Sequence, residues 1–108
     1  MNATPTTTEN PLARDDLNVR IFQGEAPDGR PVPEARLRLR EGRRPEMARL
    51  LNQAVIAVRA AIPDEERSCW RVRSELLGEA EGRVYIRLEE GTRAEHAEGA
   101  LALHKAFR

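Results

Sequence analysis

The chain has 108 residues, and its 18 basic and 18 acidic side chains give a formal net charge of zero. This length has room for a single domain with one hydrophobic core, and the even charge balance excludes a uniformly basic coat for nucleic acid. Hydrophobic residues make up 40% of the chain and charged residues 33%, which allows a modest core and argues against a wholly disordered chain.

The sequence carries no pattern typical of membrane insertion or secretion. No apolar run approaches the roughly 20 residues of a membrane-spanning helix, and the first residues lack the basic and apolar stretches of a signal peptide. The single Cys69 cannot form an intramolecular disulfide. We therefore expect a cytoplasmic protein that makes no contact with a membrane.

The first sixteen residues are rich in threonine and proline and show no apolar period, which is typical of a flexible arm. The sequence thus predicts an arm over 1–16 and a single α+β domain over 17–108. Two units of the order strand, strand, helix make up this domain, at about 17–62 and 69–108.

The first unit begins with two segments in which apolar and polar residues alternate, the pattern of half-buried strands. Prolines and the Asp28-Gly29 pair predict a turn or loop over 24–33. The second strand then runs over 34–40, and the two strands form a hairpin. Their inward positions are Leu17, Val19, Ile21, Ala35, Leu37 and Leu39.

A helix follows Gly42, where the apolar period changes from two to about 3.6 residues. Pro45 lies in the first turn of this helix, where a missing N–H costs little, and the helix ends before Pro63. Its inward stripe consists of Met47, Leu50, Leu51, Ala54, Val55, Val58 and Ile62.

The second unit repeats this order after an acidic connector at 64–66. A turn between Gly78 and Gly82 joins its two strands, and Thr92 and Glu95 have the spacing of a capping box at the start of the last helix. The inward positions of this unit are Trp70, Val72, Leu76, Val84, Ile86, Leu88, Ala97, Leu101 and Phe107.

An internal repeat supports the division into two units. When the sequence is shifted by 49 positions, residues 38–48 align with residues 87–97, and seven of the eleven pairs are identical. Duplication explains this similarity, although two strand-to-helix turns can also converge on it. Either origin predicts a pseudo-twofold domain.

Two such units bury their apolar faces best as a four-stranded antiparallel sheet with both helices on one face. The predicted fold is therefore α+β, with the order ββαββα. If the second and fourth strands meet in the middle of the sheet, the topology is a circular permutation of the ferredoxin-like fold.

The uncovered face of this sheet is rich in arginine. Eight arginines lie there against Glu34, Glu75 and Glu89, an excess of five positive charges, so we expect an anionic partner. Aromatic rings among arginines are typical of sheets that bind single-stranded DNA or RNA by stacking bases. The predicted nucleic-acid-binding residues are Arg20, Phe22, Arg36, Arg38, Arg40, Arg71, Arg73, Arg83, Tyr85 and Arg87.

Three other interpretations of the arginine-rich face remain open. The arginines can form ion pairs with the neighbouring glutamates on a solvated surface. The chain can be a protein-interaction module or a regulatory inhibitor that docks a protein partner. It can also form a homodimer in which two sheets stack face to face.

Catalytic and metal-binding patterns are weak. His96 and His104 are eight residues apart, about 80° around a helix, and neither has a Cys or His partner at metal-ligand spacing. Cys69 shares the open face with Arg71 in the predicted strand but lacks an evident base. We therefore expect a protein that is not an enzyme, with no cofactor and no metal.

Overall fold

The computed structural model describes residues 12–88 and 96–107. Two strands, a helix, a 3-10 helix, two further strands and a second helix follow one another along the chain. Their bounds are β1 (Leu17–Glu25), β2 (Pro31–Leu39), α1 (Arg44–Ala61), the 3-10 helix (Asp64–Cys69), β3 (Trp70–Leu76), β4 (Glu81–Leu88) and α2 (His96–Ala106).

The four strands form one antiparallel sheet in the order β1-β2-β4-β3. Both helices pack against the same face of this sheet and against each other. The predicted α+β fold is confirmed, and β2 and β4 are the central strands. This is the strand order that a circularly permuted ferredoxin-like sheet would have. The relation to that fold, and the duplication, stay predictions.

The core lies between the sheet and the helices. The central strands contribute Leu37, Val84 and Ile86 to it, all of them fully buried, and the predicted stripe of α1 is buried or partly buried along its whole length. Gly82 lets α1 rest directly on β4, since a Cβ there would lie 2.7 Å from the side chain of Leu51. Neither described helix is long and apolar enough to cross a membrane.

The inward face of α2 differs from the prediction. Leu101, predicted to face the core, is 52% exposed. The buried side of the described helix consists of Gly99, Ala102, Leu103 and Ala106. Phe107, just beyond the helix, packs against the core as predicted. The close approach of the helix at Gly99, where a Cβ would lie 2.9 Å from Ile86 and 3.0 Å from the Trp70 ring, explains this orientation. Thr92, Glu95 and the side chain of Ala97 lie outside the described residues.

The β1–β2 hairpin is longer than predicted, because its strands reach Glu25 and start again at Pro31, leaving a turn over 26–30. Gly29 adopts a φ of 87° in this turn, a conformation that favours glycine. Pairing of β2 with β4 begins only at Glu34, since Pro33 has no N–H to donate. The end of the hairpin is therefore not held to β4 by a ladder of backbone hydrogen bonds.

The chain packs against the domain from Leu12 onward, earlier than the predicted boundary at residue 16. Leu12 is 4% exposed and belongs to the core. The Arg14 guanidinium contacts Asp16 at 2.6 Å and Glu46 of α1 at 2.9 Å. Residues 1–11, the rest of the predicted arm, lie outside the described residues.

Candidate nucleic-acid interface

The face of the sheet opposite the helices, called the open face below, carries the even-numbered residues of β1 and β2 and the odd-numbered residues of β3 and β4. Among the described strand residues, three glutamates lie on it: Glu34, Glu75 and Glu81. Seven arginines of the same strands outnumber them, leaving an excess of four positive charges. These are Arg20, Arg36, Arg38, Arg71, Arg73, Arg83 and Arg87.

The strand register places several of these arginines directly opposite one another. Arg36 faces Arg20 on one side and Arg83 on the other, and Arg71 faces Arg87. Like charges in directly opposite positions destabilise a sheet. Carboxylates among them, or an anionic partner, reduce this repulsion.

Glu34 lies at the centre of the open face and is only 1% exposed. Its Oε2 accepts hydrogen bonds from Nε and Nη2 of Arg36 at 3.1 and 2.9 Å, and its Oε1 accepts one from Nη1 of Arg83 at 3.0 Å. Gly24 of β1 provides the space, because a Cβ there would overlap the Glu34 carboxylate. Two arginines thus compensate the burial of this charge.

Arg83 is held on three sides. It donates hydrogen bonds to Glu75 at 2.8 Å, to Glu34 and to the Glu25 backbone carbonyl at 2.7 Å. Burial acts to lower the pKa of Arg83, but the hydrogen bonds and charges of Glu75 and Glu34 outweigh it and raise that pKa above its ordinary value. Arg83 is therefore a structural part of the face.

Tyr85 is buried, contrary to the expectation that its ring faces solvent. It is 7% exposed and packs with Ala26 and Val32, and the Arg83 guanidinium lies 4.5 Å from the ring centroid. The end of the hairpin bends over the open face at this point. A base could stack on Tyr85 only if this cover moved away.

The turn over 26–30 is tied to the open face by a second contact. Asp28 of the turn lies 3.3 Å from Nη2 of Arg87, and its other carboxylate oxygen accepts the Arg30 backbone N–H at 3.1 Å. Together with the bond from Arg83 to the Glu25 carbonyl, this contact holds the turn above one end of the central strands. The part of the open face that carries Glu34, Arg83, Tyr85 and Arg87, called its middle below, is therefore covered by the turn or internally paired.

The exposed arginines lie to either side of this middle. Arg20 and Arg38 on β1 and β2, and Arg73 on β3, are exposed, and no carboxylate of the described residues pairs with them. Arg71 is also exposed. Arg40, just beyond β2, is exposed and lies 3.4 Å from the Asp15 carbonyl oxygen. Arg20, Arg38 and Arg73 are the ones that an anion can reach without breaking an ion pair between described residues.

Phe22 is the aromatic residue of the open face that stays partly exposed. The guanidinium groups of Arg20 and Arg36 each lie 5.6 Å from its ring centroid, within the range of a cation–π contact. The first flank, defined by Arg20, Phe22 and Arg38, thus combines a planar ring with cations. The second flank consists of Arg71 and Arg73 on β3.

The open face contains the ion pairs that one interpretation of the sequence predicts. Glu34 and Glu75 pair with arginines as the ion-pair interpretation expects, whereas Glu89 lies outside the described residues. Sequence reasoning missed Glu81, which lies 3.6 Å from Arg36, because residues 78–82 read as a turn. Polar and apolar residues alternate from Glu81 through Arg87, and this alternation could have placed Glu81 on the open face.

The remaining reactive side chains lie elsewhere. Cys69 ends the 3-10 helix and packs against the core, so it does not share the open face as predicted, because the strand starts one residue later. His104 is exposed on α2. Within the described ranges, 12–88 and 96–107, no three His, Cys, Asp or Glu side chains are close enough to hold a metal ion.

Comparison of the chain with known protein families, with curated proteins and with solved structures found no significant match in any of the three.

Proposed function

We propose that this chain is a non-catalytic protein that binds single-stranded DNA or RNA on the two flanks of its open face. The observation that carries the proposal is that Arg20, Arg38 and Arg73 are exposed on one side of the sheet with no carboxylate partner among the described residues. A cytoplasmic location, expected from the sequence, belongs to the same proposal.

The two kinds of arginine on the face have different roles in this proposal. Arg83 and Arg87 hold the hairpin end in place through Glu34, Glu25 and Asp28. The exposed arginines contact phosphates, which bind guanidinium groups through charge-assisted hydrogen bonds. Phe22 offers its ring to a base, a contact that contributes about 1–3 kcal/mol per base in proteins of this kind.

A single strand fits this surface better than a duplex. Sheets read single strands because unpaired bases can stack on exposed aromatic rings. No described helix lies on the open face, so this side offers no element of the kind that enters the major groove. Binding should therefore prefer single strands and depend strongly on salt, because phosphate neutralisation releases counterions.

The test is fluorescence anisotropy of labelled single-stranded DNA, single-stranded RNA and duplex DNA at several salt concentrations. About four phosphate contacts predict a slope of about −3 in log K against log salt for single strands. The variant Arg38→Gln/Arg73→Gln should weaken binding at least about tenfold, since each lost charged contact is worth about 1 kcal/mol or more.

The matched control is Arg49→Gln/Arg59→Gln, which removes the same charge from the exposed side of α1. Equal loss of affinity in both double variants would indicate a general charge effect and would contradict a site on the open face. Unchanged affinity in Arg38→Gln/Arg73→Gln would contradict it as well.

An acidic protein is the alternative partner, because the same exposed arginines suit a carboxylate-rich surface. Absence of any binding to nucleic acid at low salt, together with a stoichiometric protein partner that survives nuclease treatment, would replace the proposed function with this one.

A further inference from the structure

The outer edge of β1 has unpaired backbone groups. Ala26 donates its N–H to the Arg30 carbonyl at the end of the hairpin, and the alternation of an antiparallel ladder repeats this every second residue. Even-numbered residues of β1 therefore bond to β2, and Val19, Ile21 and Gln23 point their N–H and C=O groups away from the sheet. At the two ends of the strand, the Leu17 N–H bonds to the Arg14 carbonyl and the Glu25 carbonyl accepts a bond from Arg83. No strand of the described ranges pairs with β1 on that side.

β1 lacks the features that usually protect an edge strand from another chain. Such features include proline, bulges and inward-pointing charges. β1 pairs with β2 over nine residues in an unbroken register and contains no proline. It carries no charged side chain on the helix side of the sheet before Glu25, the exposed last residue of the strand.

The inward side chains at this edge are also incompletely covered. Val19 and Ile21 are half-buried, whereas Leu37 and Ala35, directly opposite them on β2, are fully buried. The helical layer thus ends above β1. Another strand beside β1 would form hydrogen bonds with its outward-pointing backbone groups. The same strand would extend the apolar side of the sheet that faces the helices.

We propose that β1 pairs antiparallel with β1 of a second copy of this chain, about a twofold axis at Ile21. When the twofold axis passes through a residue, odd-numbered residues of one copy lie opposite odd-numbered residues of the other. Their outward-pointing N–H and C=O groups can therefore bond to each other. An axis at Ile21 lies at the centre of the strand, so Ile21 pairs with Ile21 of the second copy and Val19 pairs with Gln23 of the second copy. The product is a continuous eight-stranded sheet.

Charge supports this register. An axis at Ile21 places Arg20 opposite Phe22 of the second copy, a favourable cation–π pair. An axis one residue earlier would set Arg20 against Arg20 of the second copy. Like charges in that position destabilise a strand pair, and the pairing would also be shorter.

The other edge of the sheet fits a second copy less well. β3 has seven residues, and the N–H bond from Leu77 to the Glu81 carbonyl leaves its even-numbered residues pointing outward. Full-length pairing about a twofold axis would then set Arg73 against Arg73 of the second copy. The β1 edge is therefore the one we assign to self-association, and this assignment does not depend on the proposed function.

The first test compares the oligomeric state of the full chain with that of Gln23→Pro by sedimentation velocity over a range of concentrations. Gln23 is exposed, and its N–H points outward, so proline removes a bond between copies but none to β2. We expect a dimer, and a rise of about tenfold or more in its dissociation constant in Gln23→Pro.

Gln23→Thr keeps the N–H and is the matched control, so it should remain dimeric. Circular dichroism reports whether Gln23→Pro is folded. A native chain that stays monomeric at every concentration would overturn the proposal, and so would a folded Gln23→Pro variant that dimerises as tightly as the native chain.

Cross-linking gives a second readout that does not need proline. With Cys69→Ser as background, Ile21→Cys would bring two Cα atoms to about 5.5 Å, the spacing of a hydrogen-bonded antiparallel pair and within disulfide range. We expect a covalent dimer under mild oxidation. The control, Ser74→Cys on the β3 edge, should stay monomeric, and equal cross-linking of both variants would contradict pairing through β1.

Discussion

At the scale of single residues, Glu34 determines how the open face is organised. A carboxylate that is 1% exposed lies among arginines that would otherwise repel one another across the strands. Its bonds to Arg36 and Arg83 fix the direction of both side chains, and the bond of Arg83 to the Glu25 carbonyl then fixes the end of the hairpin. One buried acid therefore couples three strands.

The variant Glu34→Gln should lower the free energy of unfolding by about 3 kcal/mol, because it removes the buried charge that Arg36 and Arg83 share and leaves each of them with only a more exposed carboxylate. Urea denaturation at neutral pH measures this. Glu75→Gln is the control, since the Glu75 side chain is 50% exposed and such pairs contribute about 1 kcal/mol or less. Equal losses in the two variants would show that Glu34 is not the central carboxylate of the face.

At the scale of elements, the segment before β1 is attached to α1 through Arg14. The hydrogen bond from Arg14 lowers the pKa of Asp16 below its ordinary value; reduced hydration opposes this shift, and the charge of Arg14 adds to it. A lowered pKa means that ionised Asp16 contributes stability above about pH 4 and that this contribution is lost as the pH falls through the lowered value.

The difference in unfolding midpoint between the native chain and Asp16→Asn should thus be present at pH 7, and it should shrink as the pH falls below about 4. Urea titrations at several pH values measure it. Asp15→Asn is the control, because the contact of Asp15 with Arg40 uses the backbone carbonyl. The difference in unfolding midpoint between Asp15→Asn and the native chain should not change with pH in this way. A difference that persists at low pH would contradict an electrostatic attachment.

At the scale of the whole molecule, the stability of the fold does not by itself account for the arginines on the open face. Arg20 lies directly opposite Arg36, where like charges destabilise the sheet. Arg38 and Arg73 lie opposite Glu81 and Tyr85 and form no ion pair with a described carboxylate, so they add little stability, and a sheet selected only for stability would not keep such arginines. Arg38→Gln/Arg73→Gln should therefore melt at the same temperature as the native chain or higher. A lower melting temperature, measured by circular dichroism, would mean that these arginines hold the fold together and would weaken the case for a binding face.

Sequence periodicity predicted much of this architecture, because alternation and the 3.6-residue period depend on local geometry. Among the residues whose side chains the structure describes, it placed the inward residues of the strands and of α1 correctly. It could not find the orientation of α2, since the alanines of that helix lie on several faces and close approach at Gly99 decides between them. It could not find the burial of Glu34 and Tyr85 either. That burial depends on Arg83 and on the end of the β1–β2 hairpin, which bends over the open face, and these contacts join residues far apart in sequence.

The covered middle of the open face also restricts the size of the ligand. Arg20 on β1 lies three strand spacings of about 4.8 Å from β3, and Arg38 on β2 lies two, so about 10–14 Å separates the two flanks. In the proposed function, an oligonucleotide too short to bridge this gap occupies one flank only, and a longer one gains the second contact as an intramolecular event. Affinity would then rise with oligonucleotide length in a step instead of gradually. The oligonucleotide length at which the step occurs measures the distance between the two flanks.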